Sequence, residues 1–331
     1  MKRMACLVLL VLAACAPTPP AGHTLKLYAA VDREVAEEVL AAFTKSTGIK
    51  VEAVYDSEMA KTAGLAKRLE IEKDNPQADA WWSGESLYTS MLAARGCLAK
   101  LPEDVPEGAR RYGAREWVAC SARLRVLVYH AKHWPGAVPE PSSLDLISDA
   151  RLKDRCVIAN PETGTTATHV AWLMAQDDGR ELLKGAKANG LRMVASNSAV
   201  VRAVQQGDAW LGVTDSDDVL VARATDPDLR FAVPDQQAGG RGSVSTPCSA
   251  AIVKGAMQPQ LAAAFLKWLV SAEGEGAMAR SAMRNIPIAS DAPPPAELPA
   301  LGKLKLAQID YAALVARWDE LGAASKDILK P

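Results

Sequence analysis

The sequence lacks an excess of charge of either sign. Its 331 residues contain 38 lysines and arginines against 39 aspartates and glutamates, which gives a formal net charge of −1. Proteins that bind nucleic acids usually carry a strongly basic face, so this balance argues against a nucleic-acid partner. Beyond the N-terminal segment there is also no apolar run of the ~18 residues that a membrane-spanning helix needs. We therefore expect no membrane-spanning helix in the rest of the chain.

Motifs of catalysis and of zinc binding are also missing. The chain contains neither the G-x-S-x-G pattern of serine hydrolases nor the H-E-x-x-H pattern of metallopeptidases. A hydrolase that uses the acidic residues is therefore the least favoured function, and we expect a protein that is not an enzyme. None of the six cysteines forms a C-x-x-C pair, so a zinc site is disfavoured as well.

The N-terminal segment predicts export. MKRMACLVLLVLAAC begins with basic residues, continues with an apolar stretch and ends in Leu-Ala-Ala-Cys. This ending resembles the lipobox of bacterial lipoproteins, so we predict a signal peptide over 1–14, a lipid on Cys15 and a proline-rich spacer that completes 15–23. The alternative is an ordinary signal peptide that is cut nearby, with an unmodified cysteine. Both interpretations place the folded chain on the periplasmic or cell-surface side of the membrane.

The cysteines of an exported chain commonly form disulfides. Four cysteines follow Cys15, an even number that allows three complete pairings. We expect one or two bridges, and we favour Cys97–Cys120 among the pairs. The four cysteines are Cys97, Cys120, Cys156 and Cys248.

Strand and helix signals alternate along the chain. Leu25–Val31 has the composition of a strand, and apolar residues at helical spacing follow it between the N-cap Asp32 and the stop signal Gly48. The same alternation recurs over 50–95 and over 156–235. This order predicts an α/β fold with two units, each with a largely parallel sheet.

Two long strand-like runs frame the second unit, at 115–130 and at 242–255. Because each could cross between the units, we predict two lobes joined by hinge strands. The first lobe would comprise 24–122 plus 246–331, and the second 123–245. Ligands bind at the carboxyl ends of parallel strands, so the expected binding site is a cleft between the lobes. Two later segments are each expected to form one amphipathic helix: 259–280 and 306–325.

One group of cleft loops is suited to anions. Small and hydroxyl-bearing residues open two helices, where free backbone N–H groups and the helix dipole favour a phosphate, carbonate or carboxylate. The alternative is ordinary helix capping, which hydroxyl side chains also provide. The residues concerned are Thr163, Gly164, Thr165, Thr166, Ser196, Asn197 and Ser198.

A second group of loops is suited to cations. Carboxylates follow strands in both predicted lobes, and three of them fall within the four residues 215–218. Hard cations take oxygen ligands, and like charges packed together are costly unless something compensates them. The alternative is that single acids cap helices and complement their dipoles. The candidate metal ligands are Asp32, Glu85, Asp215, Asp217 and Asp218, with Glu58 as a further acid of the cleft.

The loops after the second and third strands complete the predicted binding set. Ser57 and Ser83 lie in these loops. Trp81 and Trp82 end a strand, so side-chain alternation places one in the core and the other in the cleft, where it could stack on a ligand or cover a cation. We expect Trp82 to be the tryptophan of the cleft.

Taken together, these loops resemble the periplasmic solute-binding proteins of bacterial ABC transporters, specifically their ferric-iron-binding group. The resemblance covers nearly the whole chain after Cys15. It implies the periplasmic-binding-protein fold, in which two α/β lobes close over a ligand, and delivery of that ligand to an ABC-transporter permease. It rests on the order and spacing of LYAAVDRE, TGIKVEAVYDSEMAKT, LAKRLEIEKDNPQADAWWSGE, ANPETGTTATH and SNSAVVRAVQQGDAWLGVTDSDD.

The resemblance also implies a metal site, with one departure. Members of the group bind ferric iron through a first-loop residue, which corresponds to Asp32, a glutamate that corresponds to Glu85, and two adjacent tyrosines. Asp217 and Asp218 stand at the tyrosine positions, and the sequence has no adjacent tyrosines. The expected cargo is Fe³⁺ with a synergistic anion, or another cation, and the alternative is an anion such as a phosphonate or phosphate ester. We expect a monomer without a permanent cofactor.

Overall fold

The computed structural model describes residues 24–55, 61–111, 113–162 and 164–330. Several predictions therefore lie outside the described residues. Within these ranges, no helix combines the length and the apolar character that crossing a membrane requires. The predicted features outside the ranges are the signal peptide, the lipid on Cys15, the spacer, and the cleft residues Ser57, Glu58 and Thr163.

The predicted strands are present with boundaries that shift by only a few residues, whereas the helices over Glu107–Arg111 and Asp177–Ala188 are not among the predicted ones. The strands are β1 (Thr24–Ala30), β2 (Lys50–Tyr55), β3 (Ala80–Ser83), β4 (Trp117–His130), β5 (Cys156–Ala159), β6 (Arg192–Val194), β7 (Leu211–Asp215), β8 (Leu229–Ala232) and β9 (Ser245–Ile252). The helices are α1 (Arg33–Thr47), α2 (Lys61–Ile71), α3 (Leu87–Ala94), α4 (Glu107–Arg111), α5 (Gly164–Met174), α6 (Asp177–Ala188), α7 (Asn197–Gln205), α8 (Ser216–Arg223), α9 (Pro259–Leu269), α10 (Ala272–Arg280), α11 (Tyr311–Ala316) and α12 (Trp318–Leu329).

The strands form one continuous sheet with the order β2-β1-β3-β9-β4-β7-β5-β6, and β8 pairs with β4. On one side β1 pairs in parallel with β2 and β3, and on the other β5 pairs in parallel with β6 and β7. The two parallel parts are the two predicted α/β units. Antiparallel pairing of β4 with β9 joins them.

β4 crosses from one unit to the other. Residues 117–124 of this strand pair with β9, whereas residues 125–130 pair with β7 and β8. The ladder between β4 and β9 shifts its register between Ala119 and Ser121. Such a bulge bends a strand and increases its twist. The register shift therefore lies a few residues before Arg125, where β4 changes partners.

The prediction that Trp82 faces the cleft is wrong. Trp81 and Trp82 are both fully buried. Trp82 packs edge-to-face against Phe265 of α9, with ring centroids 6.0 Å apart. On the opposite face of β3, Nε1 of Trp81 donates to Oγ1 of Thr89 in α3 over 2.7 Å. Helices cover both faces of this strand, so neither ring reaches a cleft.

Both segments predicted as single C-terminal helices are interrupted. α9 ends before Ser271, whose hydroxyl accepts a hydrogen bond from the backbone N–H of Gly274 and so caps α10. A Cβ atom on Gly274 would lie 2.0 Å from the carbonyl oxygen of Trp268, so this tight turn requires glycine. The second segment divides at Arg317 into α11 and α12. The apolar period continues across both breaks, which is why periodicity alone predicts one helix.

The predicted Cys97–Cys120 disulfide is also wrong. Both cysteines are free and buried, as are Cys156 and Cys248. Cys97 lies in the hydrophobic cluster around Trp81, whereas Cys120 lies in the cluster around Trp82 on the other side of the sheet. The sheet therefore separates the two sulfur atoms.

The C-terminal helices contact both parts of the sheet. α11 packs against α3, whereas α12 packs against α5 and α6. The rings of Tyr88 in α3 and Trp318 in α12 lie 6.4 Å apart. The division of the chain into 24–122 plus 246–331 and 123–245 stays a prediction, and α12, which it assigns to the first lobe, also packs against helices of the second.

Candidate functional site

Three strand ends meet at the crossing strand. Gly84, directly after β3, donates its backbone N–H to the carbonyl oxygen of Ala30 at the end of β1 over 3.1 Å. A Cβ atom on Gly84 would lie 3.5 Å from Nη2 of Arg123 on β4. Nη1 of the same arginine lies 3.2 Å from Oδ2 of Asp217 at the start of α8. The first loop, the third loop and the acidic tract, residues 215–218, therefore meet where the two α/β units join.

The acidic tract forms where β7 passes directly into α8. Asp215 is the N-cap residue of α8, and Asp217 and Asp218 lie in its first turn. Unpaired N–H groups at a helix start favour carboxylates. One carboxylate oxygen of each of the three aspartates lies within 4.8 Å of those of the other two. Oxygen atoms at this separation can share a single hard cation.

Asp215 belongs to a buried hydrogen-bond network around Arg125. The side chains of both residues are 1% exposed, and Nη1 of Arg125 lies 2.7 Å from Oδ1 of Asp215. Thr165 Oγ1 and Asn197 Nδ2 donate to Oδ2 of Asp215 over 2.5 and 2.8 Å. Because donors engage both of its oxygens, Asp215 holds the network together and is a poorer cation ligand than the acids that follow it.

His169 completes the network from α5. Nε of Arg125 donates to Nδ1 of His169 over 3.4 Å. Burial, and secondarily the charge of Arg125, hold the pKa of His169 well below its usual value. The imidazole is therefore neutral and accepts the hydrogen bond.

Arg123 is held more loosely than Arg125. Its side chain is 16% exposed, and Nη1 lies 3.2 Å from Oδ2 of Asp217 and 3.9 Å from Oδ2 of Asp215. Within the described ranges, no acceptor pairs with Nε of Arg123 and no donor pairs with the buried Oδ1 of Asp217. A buried polar atom without a partner is costly. This ion pair thus presents one unpaired donor and one unpaired acceptor.

Burial raises the pKa values of the two outer acids. It raises the pKa of Asp217 to about 6, although Arg123 acts in the opposite direction. Burial, and then the charge of Asp217, raise the pKa of Asp218 well above its ordinary value. Burial alone would lower the pKa of Arg123, but the nearby carboxylates, Asp217 above all, more than offset this and raise it. A bound cation would favour the ionised form of both acids.

The predicted anion-binding residues of α5 serve mainly internal contacts. Thr165 donates its hydroxyl to Asp215, and Oγ1 of Thr166 donates to Oδ1 of Asn197 over 3.3 Å. Gly164 opens the helix with a φ of 65°, a conformation that favours glycine. These contacts fix α5 and α7 against the end of β7.

Ser196 acts as a helix cap. Its Oγ accepts a hydrogen bond from the backbone N–H of Ala199 over 3.2 Å and lies 2.9 Å from Oγ of Ser198. Ordinary capping, the alternative for the serines of this loop, therefore describes the contacts of Ser196.

Glu85 also caps a helix. Its carboxylate accepts hydrogen bonds from the backbone N–H groups of Leu87 and Tyr88 over 2.6 and 3.1 Å. Ser83 Oγ lies 3.5 Å from Oε1 of Glu85. Burial raises the pKa of Glu85 to about 7, against the lowering effect of these N–H groups. Glu85 is thus a buried acid beside the strand junction, with its oxygens turned toward α3.

Asp32 occupies the N-cap position of α1, and its backbone carbonyl oxygen accepts the N–H of Ala36 over 2.9 Å. It lies two residues after the end of β1 and is exposed. As far as the structure describes the chain, neither Asp32 nor Glu85 joins the carboxylate cluster of the acidic tract. Their roles as metal ligands stay predictions.

Sequence reasoning missed Arg123 and Arg125, which organise this site. A usable signal was present, since the two arginines lie at alternate positions of an otherwise apolar strand, in ARLRVLVYH. A charge on the inward face of a strand needs a partner. The carboxylates of the acidic tract supply that partner.

Comparison with known proteins adds a family match and a fold. Residues 25–284 match the family described as bacterial extracellular solute-binding proteins. The major ferric iron-binding protein of Neisseria meningitidis is 27% identical over 285 residues, which cover 81% of this chain and 82% of that protein. A putative 2-aminoethylphosphonate-binding periplasmic protein of Salmonella typhimurium is 24% identical over 264 residues, which cover 76% and 74%.

A solved structure resembles the whole described fold. Iron-bound HitA from Pseudomonas aeruginosa gives a TM-score of 0.78 at 24% identity, over 92% of this chain and 99% of that one. This likeness shows the two-lobe fold and confirms the fold that the sequence predicts.

Proposed function

The chain belongs to the bacterial extracellular solute-binding proteins, and from this we propose that it is the substrate-binding component of an ABC importer. It binds a cation at the acidic tract between the lobes and delivers it to a permease. A lipid on Cys15 would hold the monomer at the outer side of the membrane. The proposed role is transport and not catalysis.

The observation that most supports the cation proposal is a buried carboxylate oxygen of Asp217. Its Oδ1 is buried and has no hydrogen-bond donor among the described residues, and it belongs to a cluster of three carboxylates within 4.8 Å. A cation would satisfy that oxygen and compensate the repulsion between Asp217 and Asp218.

Oxygen-only ligands favour hard cations. Relatives named for ferric iron support Fe³⁺ as the first candidate cargo, with a synergistic anion to complete its coordination. Carboxylates in place of tyrosines leave divalent hard cations such as Mn²⁺ as candidates too.

An anionic cargo is the second candidate. The unpaired Nε of Arg123 favours it, since a guanidinium matches a phosphonate or phosphate in geometry and charge. The relative named for 2-aminoethylphosphonate supports the same class of ligand. In this case the loops at 163–166 and 196–198 would contribute backbone N–H groups.

Cargo binding would favour closure because ligand atoms shared by both lobes make more contacts in the closed state. β4 and β9 are the strands about which the lobes would move, since they alone join the two parallel parts of the described sheet. The closed form would be the state that the permease recognises.

The test is calorimetric titration of metal-stripped protein with Mn²⁺ and with Fe³⁺ supplied as its nitrilotriacetate complex. Replacing Asp217 and Asp218 by asparagine together removes the two outer charges, so we expect affinity to fall at least about a hundredfold. Inorganic phosphate and 2-aminoethylphosphonate serve as the anionic probes in parallel titrations.

The matched control is the pair Asp177→Asn with Asp178→Asn. These acids are likewise adjacent in the first turn of a helix, but they are exposed. The control should keep the affinity of the unmodified protein. Equal losses in both double variants, or no cation binding by the unmodified protein, would refute the cation proposal.

A further inference from the structure

Arg123 and Arg125 differ in how firmly the protein holds them. Arg125 is fully buried, and all of its guanidinium nitrogens have partners among the surrounding residues. Arg123 is partly exposed, its Nη1 lies 3.2 Å from Asp217, its Nη2 donates to Sγ of Cys248 over 3.9 Å, and its Nε has no acceptor among the described residues. The first guanidinium is a fixed part of the fold. The second is held by one close ion pair, a 3.9 Å contact with Asp215 and a weak hydrogen bond to Cys248, so fewer contacts oppose its displacement.

The guanidinium of Arg123 lies close to where a cation bound by the acidic tract would lie. Its Nη1 faces one oxygen of Asp217 and one of Asp215, two of the three residues that supply oxygens to the carboxylate cluster. A metal ion bound by Asp217 and Asp218 would lie within a few ångströms of this positive charge. Two cations cannot share the site without strong repulsion at that distance.

We propose that Arg123 is a built-in competitor for the cargo. Its guanidinium neutralises Asp217 in the ligand-free protein and is displaced when a cation binds. This inference rests on the proposed cation-binding function. Arg123 thereby sets the affinity and selects cargo of higher charge, which can outcompete a single positive charge. Because the arginine lies on β4, its displacement occurs at the strand that joins the lobes.

The number of charges supports this assignment. Asp215 is neutralised by Arg125 over 2.7 Å, so the remaining local charges are those of Asp217, Asp218 and Arg123. With both acids ionised, as a bound cation would favour, their sum is −1 with the arginine in place and −2 when it moves away. The displaced state therefore attracts a multivalent cation more strongly.

The test compares three arginine variants by titration with Mn²⁺ alone. Arg123→Gln removes the competing charge, so we expect Mn²⁺ to bind at least about tenfold more tightly. Arg123→Lys retains the charge and should stay near the affinity of the unmodified protein. Arg151→Gln is the matched control, because Arg151 is half-exposed and pairs with Asp149 elsewhere on the surface. It should leave the affinity unchanged.

A double-variant cycle shows whether the gain arises at Asp217. In the background of Asp217→Asn, Arg123→Gln should tighten Mn²⁺ binding much less than it does in the unmodified protein. Urea midpoints of all variants verify that each is folded at the temperature of titration. An undiminished gain in this background would overturn the inference, since Arg123 would then act elsewhere.

Two results distinguish failure of this inference from failure of the proposed function. If Mn²⁺ binding requires Asp217 and Asp218 but does not tighten in Arg123→Gln, only the competitor role is overturned. If no variant binds Mn²⁺ and Arg123→Gln loses affinity for inorganic phosphate, both are overturned and the arginine is an anion ligand.

Discussion

Arg123 and Arg125 project from the same side of one strand, since residues two apart share a face, yet they have different roles. Burial makes the difference. Arg125 lies among polar groups of α5, α7 and β7, so each of its guanidinium nitrogens finds an acceptor. Arg123 lies at the junction of the lobes, where the acidic tract faces partly exposed space. At the scale of single residues, charge alone does not define function, because the surroundings decide whether a charge is fixed or exchangeable.

Replacing Arg125 by methionine should destabilise the protein strongly. The change leaves Asp215 as a buried, unpaired carboxylate, and loss of one partner of a buried ion pair costs about 3–5 kcal/mol. Urea unfolding followed by circular dichroism measures this loss. Arg151→Met, which breaks an exposed pair, should cost no more than about 1 kcal/mol. Similar losses in the two variants would show that the buried network adds little.

Helix α10 fixes the segment that follows it through one buried acid. Glu275 is fully buried, and its carboxylate accepts the backbone N–H groups of Ile288, Ala289 and Ser290 over 2.7–3.1 Å. Ala122 of β4 exchanges backbone hydrogen bonds with Ile286 in this segment. Glu275 thus fixes a segment that is itself hydrogen-bonded to the crossing strand.

Glu275 should make stability depend on pH. Burial raises the pKa of its carboxyl above the ordinary value, although the N–H groups lower it. The folded protein therefore holds this proton more tightly than the unfolded chain, whose glutamate titrates near ~4.3. Its contribution to stability is largest below that pH and decreases as the pH rises through the raised pKa. Urea midpoints measured from pH 4 to pH 8 should show the decrease.

Glu275→Gln should abolish that pH-dependent component and lower stability by about 1–3 kcal/mol, because one amide oxygen cannot replace two carboxylate oxygens. Glu273→Gln, an exposed change two residues away, is the control and should behave like the unmodified protein. An unchanged pH profile in Glu275→Gln would contradict the assignment.

At the scale of the whole molecule, two features join the lobes. One is the antiparallel pair of β4 and β9, and the other is the C-terminal segment, whose α11 packs on α3 while α12 packs on α5 and α6. The proposed closure would therefore bend the strand pair and slide the C-terminal helices. The four cysteines of the described residues are buried free thiols.

The thiols should report global unfolding. In protein lacking the first 23 residues, a chromogenic disulfide reagent should react with none of the cysteines quickly and with four after denaturation, since all four are buried and free. Mass spectrometry after alkylation gives the same count independently. A count of two after denaturation would show a bridge that the structure does not contain.

The sequence by itself determined the alternation of strands and helices, the caps of α1, the crossing strand and the concentration of acids after β7. These are local properties, set by hydrophobic period and by residues such as Asp32 and Gly48. Periodicity could not detect the breaks at Ser271 and Arg317, because the apolar pattern continues through them.

Only the tertiary structure decided which acids remain free to bind. Asp215 is neutralised by an arginine 90 residues away. The carboxylate of Glu85 turns toward the helix that it caps, and helices cover both faces of the strand that contains Trp82. These three results depend on contacts between segments that are distant in the sequence. Burial and the identity of the contacting partners set the energies of these contacts, and the order of residues does not reveal either. Among the described residues, Oδ1 of Asp217 has no partner because Arg123 reaches only Oδ2, and that is a property of the folded chain alone.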